Sequence, residues 1–187
     1  TTSIKTGKSP IVTGWTGWEN YIKEIDKDIV LFTGNEYGTN NKTNISYYEI
    51  NPIKMFYEDL NIDGFSVEPD FSINHKIDDV LNESLEKIKK SKESIQYVYY
   101  TEPDTMMHIH GTNTRQTRRI CKGIDKKIKK YASLLPNDTL LIITADHGND
   151  PSFRGTDHTR ENLPVLIYSK LFKDTKHIKE LDCFSDI

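Results

Sequence analysis

Cysteine is nearly absent from this chain: Cys121 and Cys183 are its two, in 187 residues. That excludes a disulfide framework, and neither stands at the spacing of a thiolate metal finger, so both read as reduced thiols. No apolar run reaches the roughly 20 residues a membrane-spanning helix needs, and no signal-peptide pattern is present. Neither sign of charge dominates. With 25 basic and 28 acidic residues the formal net charge is −3, which gives no basic face for a nucleic-acid polymer and too little acid to repel a phosphate. A cytoplasmic protein with no membrane association is expected. A phosphate-binding glycine loop is also missing: Thr6-Gly7-Lys8-Ser9 has the right ending, but the glycine required five residues before Gly7 is Thr2.

What the chain does have is concentrated between Thr139 and Tyr168. Residues 139–144 (TLLIIT) form an apolar, β-branched run of strand length, suited to a strand buried on both faces. The run ends on Ala145-Asp146-His147-Gly148, so a carboxylate and an imidazole sit where the strand gives way to a turn. His158 follows within Gly155-Thr156-Asp157-His158-Thr159-Arg160, and a second apolar run spans Leu163 to Tyr168. Ligands in open α/β sheets bind outside the carboxyl ends of strands. Taken alone, Asp146-His147 fits an ordinary polar loop as well as a site.

A second stretch repeats the arrangement. Gln96 to Tyr100 (QYVYY) reads as a strand and runs into Glu102-Pro103-Asp104-Thr105-Met106-Met107-His108-Ile109-His110. Asp104 and His108 are four apart, so one helical turn places both on one face, within reach of one ion. His110 would point elsewhere and is read as a supporting or substrate-side candidate, with Glu102 a loop residue. A helix from about Thr114 to Leu135 follows, its stripe Ile120, Ile124, Ile128, Tyr131 and Leu135, before Pro136-Asn137-Asp138 breaks it. Strand, helix and strand in this order predict a parallel βαβ unit. If strands 96–100 and 139–144 are parallel neighbours, Asp104, His108, Asp146, His147 and His158 share one cleft. Such an N/O donor set suits Zn²⁺ or Mn²⁺.

The remainder is scaffold. Ile77 to Lys92 patterns as an amphipathic helix with Ile77, Val80, Leu81, Leu85 and Ile88 on one side. Asp28 to Thr33 reads as a short buried strand, Pro52 to Leu60 as a short helix and Phe65 to Phe71 as a weak strand. Trp15 and Trp18 fit either core packing or a cleft wall. The overall expectation is an α/β protein with a mostly parallel sheet sandwiched between helices. By length it is a single domain over 1–187, with a small loop-rich insertion at about 35–75. Both ends look cut: Thr1–Gly7 reads like the last turns of a helix, and nothing marks a stop at Ile187.

Asp-X-X-X-His after Glu-Pro, then Ala-Asp-His-Gly, then a third histidine before a proline-containing strand, resembles the alkaline phosphatase superfamily, and within it the type I phosphodiesterase and nucleotide pyrophosphatase branch. The resemblance implies two divalent ions, Zn²⁺ ahead of Mn²⁺. One would be held by Asp104, His108 and His158, the other by Asp146 and His147 with an upstream aspartate and a threonine nucleophile that falls before Thr1. The implied reaction is two-metal displacement at phosphorus on a small phosphate ester or nucleotide, most simply hydrolysis of a phosphodiester or pyrophosphate. With the nucleophile outside it, the chain by itself is expected to be inactive or nearly so. ADHGND followed by GTDHTRENLPVL also resembles phosphopentomutase, and ADHG the cofactor-independent phosphoglycerate mutases. A phosphosugar mutase is the alternative, although the stretch from 35 to 95 is short for the cap domain it would carry. An inactive metal-binding fragment is the third reading.

Overall fold

A computed structural model describes residues 2–31, 33–45, 52–60, 62–67 and 76–187. Where length alone suggests one body, backbone packing gathers the chain into two compact units, Thr1–Asn61 with Ile178–Ile187, and Ile62–His177.

The first unit opens with helix α1 (Thr2–Thr6), which ends on Gly7 at φ 63°, and a short helix α2 (Pro10–Thr13). Strands β1 (Glu19–Ile22), β2 (Lys27–Val30) and β3 (Asn35–Glu36) form an antiparallel meander, with Glu19 opposite Val30 and Ile29 opposite Glu36. Its core is Trp15, Ile22, Ile29 and Leu31, against which Ile25 and Ile53 pack. Trp15 is therefore a core residue, while Trp18 is 46% exposed. The short helix expected over 52–60 is a single 3₁₀ turn, Phe56–Asp59.

The second unit carries the α/β character. Strand β4 (Asp63–Val67), helix α3 (Ile77–Lys90) and strand β5 (Ser94–Val98) form a βαβ unit, the strands parallel with Asp63 opposite Ser94 and Val67 opposite Val98. Part of the expected insertion is thus a strand of the framework. Residues 46–51, 61 and 68–75 of it lie outside the described residues. Helices α4 (Glu102–His110) and α5 (Arg115–Leu134) follow, then β6 (Leu141–Thr144) and β7 (Val165–Tyr168), paired antiparallel with Leu141 opposite Tyr168.

The α/β class holds, but the pairing differs from the one expected. Among the described residues no ladder joins β5 to β6. The strands fall into three small sheets, of which only β4–β5 is parallel. Nor is the β6–β7 hairpin buried on both faces. Ile142 is half exposed, as are Leu166, Ile167 and Tyr168, because no described strand or helix covers those side chains.

The amphipathic readings of the two long helices are what hold this unit together. Leu85 of α3 packs with Tyr131 and Leu135 of and after α5, and Leu81, Ile88 and Leu141 close around them. Each buried aliphatic side chain here is worth about 1.5–3 kcal/mol. Inside that seam the hydroxyls of Ser84, fully buried, and Tyr131 share a hydrogen bond of 2.9 Å. Tyr131→Phe strands the Ser84 hydroxyl and is expected to cost about 1–2 kcal/mol. Adding Ser84→Ala should return much of that loss, a sign of coupling that urea unfolding of the two single variants and the double variant would read. Beyond β7, Lys170 donates to the carbonyls of Ser133 at 2.9 Å and Leu135 at 2.5 Å. A cation thereby caps the negative end of α5 and ties it to the hairpin. No helix among the described residues is long and apolar enough to cross a membrane.

Candidate metal centre

Every residue singled out as a ligand lies in the second unit, on the loops and the helix that follow β5 and β6. Pro103 opens α4 near its first helical position, where a missing N–H costs nothing. Asp104 and His108 then stand one turn apart on it, Oδ1 to Nε2 3.3 Å. The helix stops at Gly111, which makes the last helical bond to the Met107 carbonyl at 2.8 Å and turns the chain away at φ 83°. Thr114 caps the next helix by accepting from the Thr117 N–H.

The loop after β6 is closed at its base. Gly148 donates to the Thr159 carbonyl at 3.2 Å and Thr159 donates back to the Gly148 carbonyl at 2.9 Å. Thr159 Oγ1 also accepts from the Asp150 N–H at 2.7 Å. His147 and His158 are the residues just before the two halves of this clasp. Their rings stack with centroids 3.5 Å apart. A β-carbon at Gly148 would run into the Glu161 carboxylate and lie 3.1 Å from the Thr159 carbonyl oxygen and 3.2 Å from the Glu161 nitrogen, so these neighbours would have to give way.

The five predicted residues therefore meet although β5 and β6 share no ladder. Around Asp104 Oδ1 stand the Nε2 atoms of His158 at 3.2 Å, His108 at 3.3 Å and His147 at 3.7 Å. His108 Nε2 and His158 Nε2 are 3.1 Å apart. Ligand atoms 3.1–3.3 Å from one another match the ~3.3 Å edge of a tetrahedron with bonds of about 2.0–2.1 Å, the geometry of N/O-ligated zinc. The same spacing also fits hydrogen bonds from an imidazole N–H to its neighbours. Asp104, His108 and His158 form, among the described residues, a three-residue group that could hold an ion. Asp146 and His147 make a looser pair, Oδ1 to Nε2 3.5 Å, beside it.

Sequence reasoning missed the residues that support this arrangement. Tyr99, just past the end of β5, donates from its hydroxyl to Asp146 Oδ2 at 2.7 Å. Burial first, and then that bond to a carboxylate, push its phenol well above the ordinary range. The phenol of Tyr97, stacked against Tyr99, is pushed up to about 12 by burial and by the charge of Asp146. Asn149 reaches toward Asp104 Oδ1 at 3.5 Å while its own carbonyl oxygen is buried without a partner. The signal for the tyrosines was the alternation in QYVYY, which puts two polar-tipped aromatics on one side of a strand that points at the site. Of the weaker candidates, Glu102 accepts from the Tyr100 hydroxyl, and His110 is exposed.

The family model described as the metalloenzyme superfamily matches residues 40–187. A phosphopentomutase of Alkaliphilus oremlandii is 35% identical over 115 residues, covering 60% of this chain and 29% of that protein. One from Mycoplasmopsis pulmonis is 41% identical over 96 residues, covering 51% and 24%. The chain thus spans about a quarter of the length of the curated relatives it matches. Among solved structures, an inactive murine ectonucleotide pyrophosphatase/phosphodiesterase 5 in complex with AMP superposes with a TM-score of 0.59 at 16% identity, covering 79% of this chain and 44% of that one. At that identity the likeness is one of fold, and the fold is that of the alkaline phosphatase-like enzymes. The family implies divalent metal ions, and the Asp104, His108 and His158 donors have the chemistry and spacing to take one. The chain belongs to the metalloenzyme superfamily.

Proposed function

We propose that this chain is the metal-bearing segment of an enzyme that moves a phosphate within a pentose phosphate, as its relatives' name, phosphopentomutase, describes. The observation that carries the reading is the identity of 32–42% to relatives of that name. The three-residue group of Asp104, His108 and His158 supports it. In this reading Asp104, His108 and His158 hold one ion and Asp146 with His147 contributes to a second, Zn²⁺ ahead of Mn²⁺ on the donor set alone. When bound, such ions neutralise charge on the phosphate oxygens and lower the barrier to displacement at phosphorus. The chain's own residues fix the geometry. Asp104 and His108 are locked in register by one turn of α4, and the Gly148–Thr159 clasp sets His158 against them. Tyr99 holds Asp146.

Hydrolysis of a phosphodiester or pyrophosphate is the second reading, favoured by the Asp104-X-X-X-His108 spacing. It predicts a different product. With the protein that contains this chain and added Mn²⁺ or Zn²⁺, phosphorus NMR of a pentose monophosphate should show phosphate moving between sugar hydroxyls with little free phosphate. Release of nitrophenol from a bis-nitrophenyl phosphate diester, without such redistribution, would replace the mutase with a phosphodiesterase.

A further inference from the structure

We propose that Tyr99 is a positioning residue, which orients the Asp146 carboxylate so that one chosen oxygen is offered to the second ion. The inference rests on the reading of Asp146 and His147 as that ion's ligands. The two carboxylate oxygens have different surroundings. Oδ2 accepts the Tyr99 hydroxyl at 2.7 Å, across 47 residues of sequence. Oδ1 lies on the other side, 3.5 Å from His147 Nε2, close to the ~3.3 Å that two donors on one tetrahedral ion keep.

A carboxylate with one oxygen tied to a hydroxyl cannot rotate freely, and it binds an ion through the other. A phenol suits the task because it stays a neutral donor under ordinary assay conditions, adding no charge that would compete with the metal. The position is also rigid. The Tyr97 and Tyr99 rings stack at 6.5 Å with planes 17° apart, and Tyr97 belongs to β5, which pairs with β4. Since no ladder joins β5 to β6 among the described residues, this hydroxyl is a polar link between the end of one strand and the site loop of the other. Supporting hydrogen bonds of this kind orient metal ligands, and losing one weakens binding about 10–100-fold.

Tyr99→Phe keeps the ring and removes the bond. Histidine side-chain nitrogen NMR of the ¹⁵N-labelled protein that contains this chain, during a Zn²⁺ titration, reads the two positions separately, with exposed His110 as an internal reference. The unsubstituted protein should show His108 and His158 responding first and His147 at higher zinc. In Tyr99→Phe the His147 response should shift to about 10–100-fold higher zinc, with the His108 and His158 responses and the metal-free melting temperature unchanged. A His147 response unchanged by the substitution overturns the inference and leaves the metal reading standing. Equal weakening at all three histidines makes Tyr99 a packing residue and overturns it too. No His147 response in the unsubstituted protein overturns the two-ion reading, and the inference falls with it.

Discussion

His158→Ala should weaken zinc binding on the order of a thousand-fold, more than the tenfold to hundredfold cost of losing a supporting residue. The reason is geometric. His158 Nε2 stands 3.2 Å from Asp104 Oδ1 and 3.1 Å from His108 Nε2, so it supplies one corner of a three-donor group. Removing it leaves a single-turn Asp104/His108 pair on a surface helix, the kind of pair that competes poorly with water. A thousand-fold loss is about 4 kcal/mol. Calorimetric titration with Zn²⁺ would read it directly, and the zinc-induced rise in melting temperature should shrink in step, because an ion that binds only the folded chain stabilises it by mass action. Without metal the variant should melt where the parent does, since the His158 side chain is 45% exposed and adds little packing. Retained affinity would take His158 out of the ligand set.

Gly148→Ala should be the most damaging substitution that touches no ligand. The added β-carbon displaces the Glu161 carboxylate, which accepts from the Thr159 hydroxyl, and meets two backbone atoms, the Thr159 carbonyl oxygen at 3.1 Å and the Glu161 nitrogen at 3.2 Å. The clasp between Gly148 and Thr159 must open by a few tenths of an ångström, and its two hydrogen bonds lengthen. Overpacking of this kind costs about 1–3 kcal/mol. His147 and His158 flank the clasp, so the strain falls on the spacing of their stacked rings. Zinc affinity should drop by about 10–100-fold although all five polar residues remain, comparable to the loss of a supporting contact. Circular dichroism melts and the same titration separate the two effects. Wild-type affinity in Gly148→Ala would show that the clasp does not set the site.

Much of the candidate site was legible because its pattern is written locally. Asp104 and His108 are four apart on a helix opened by a proline, and that periodicity fixes their common face without any tertiary knowledge. Asp146-His147 at the end of an apolar run needed only the rule that strand ends carry sites. The helices were readable for a similar reason: the Leu81, Leu85 and Ile88 stripe repeats at helical spacing, and its seam with Tyr131 and Leu135 is where the structure places it. Strand pairing was less legible. Nothing in TLLIIT or QYVYY encodes which edge each takes, and β6 pairs with the run after the loop, β7, as short connections favour. β5 pairs with β4, which overlaps the start of the weak strand expected from Phe65 but begins two residues earlier, within the stretch read as a loop-rich insertion. Tyr99 was overlooked because a tyrosine in a strand is ordinarily core or surface. Only the fold shows a carboxylate within 2.7 Å of its hydroxyl.

Asp104, His108 and His158 are proposed to converge on one ion. Anomalous diffraction at the zinc edge, from crystals of the chain grown with Zn²⁺, would locate it. The structure predicts a peak at about 2.0–2.2 Å from an Asp104 carboxylate oxygen and from the Nε2 atoms of His108 and His158. A zinc peak on other residues, with these three side chains left apart, would contradict it.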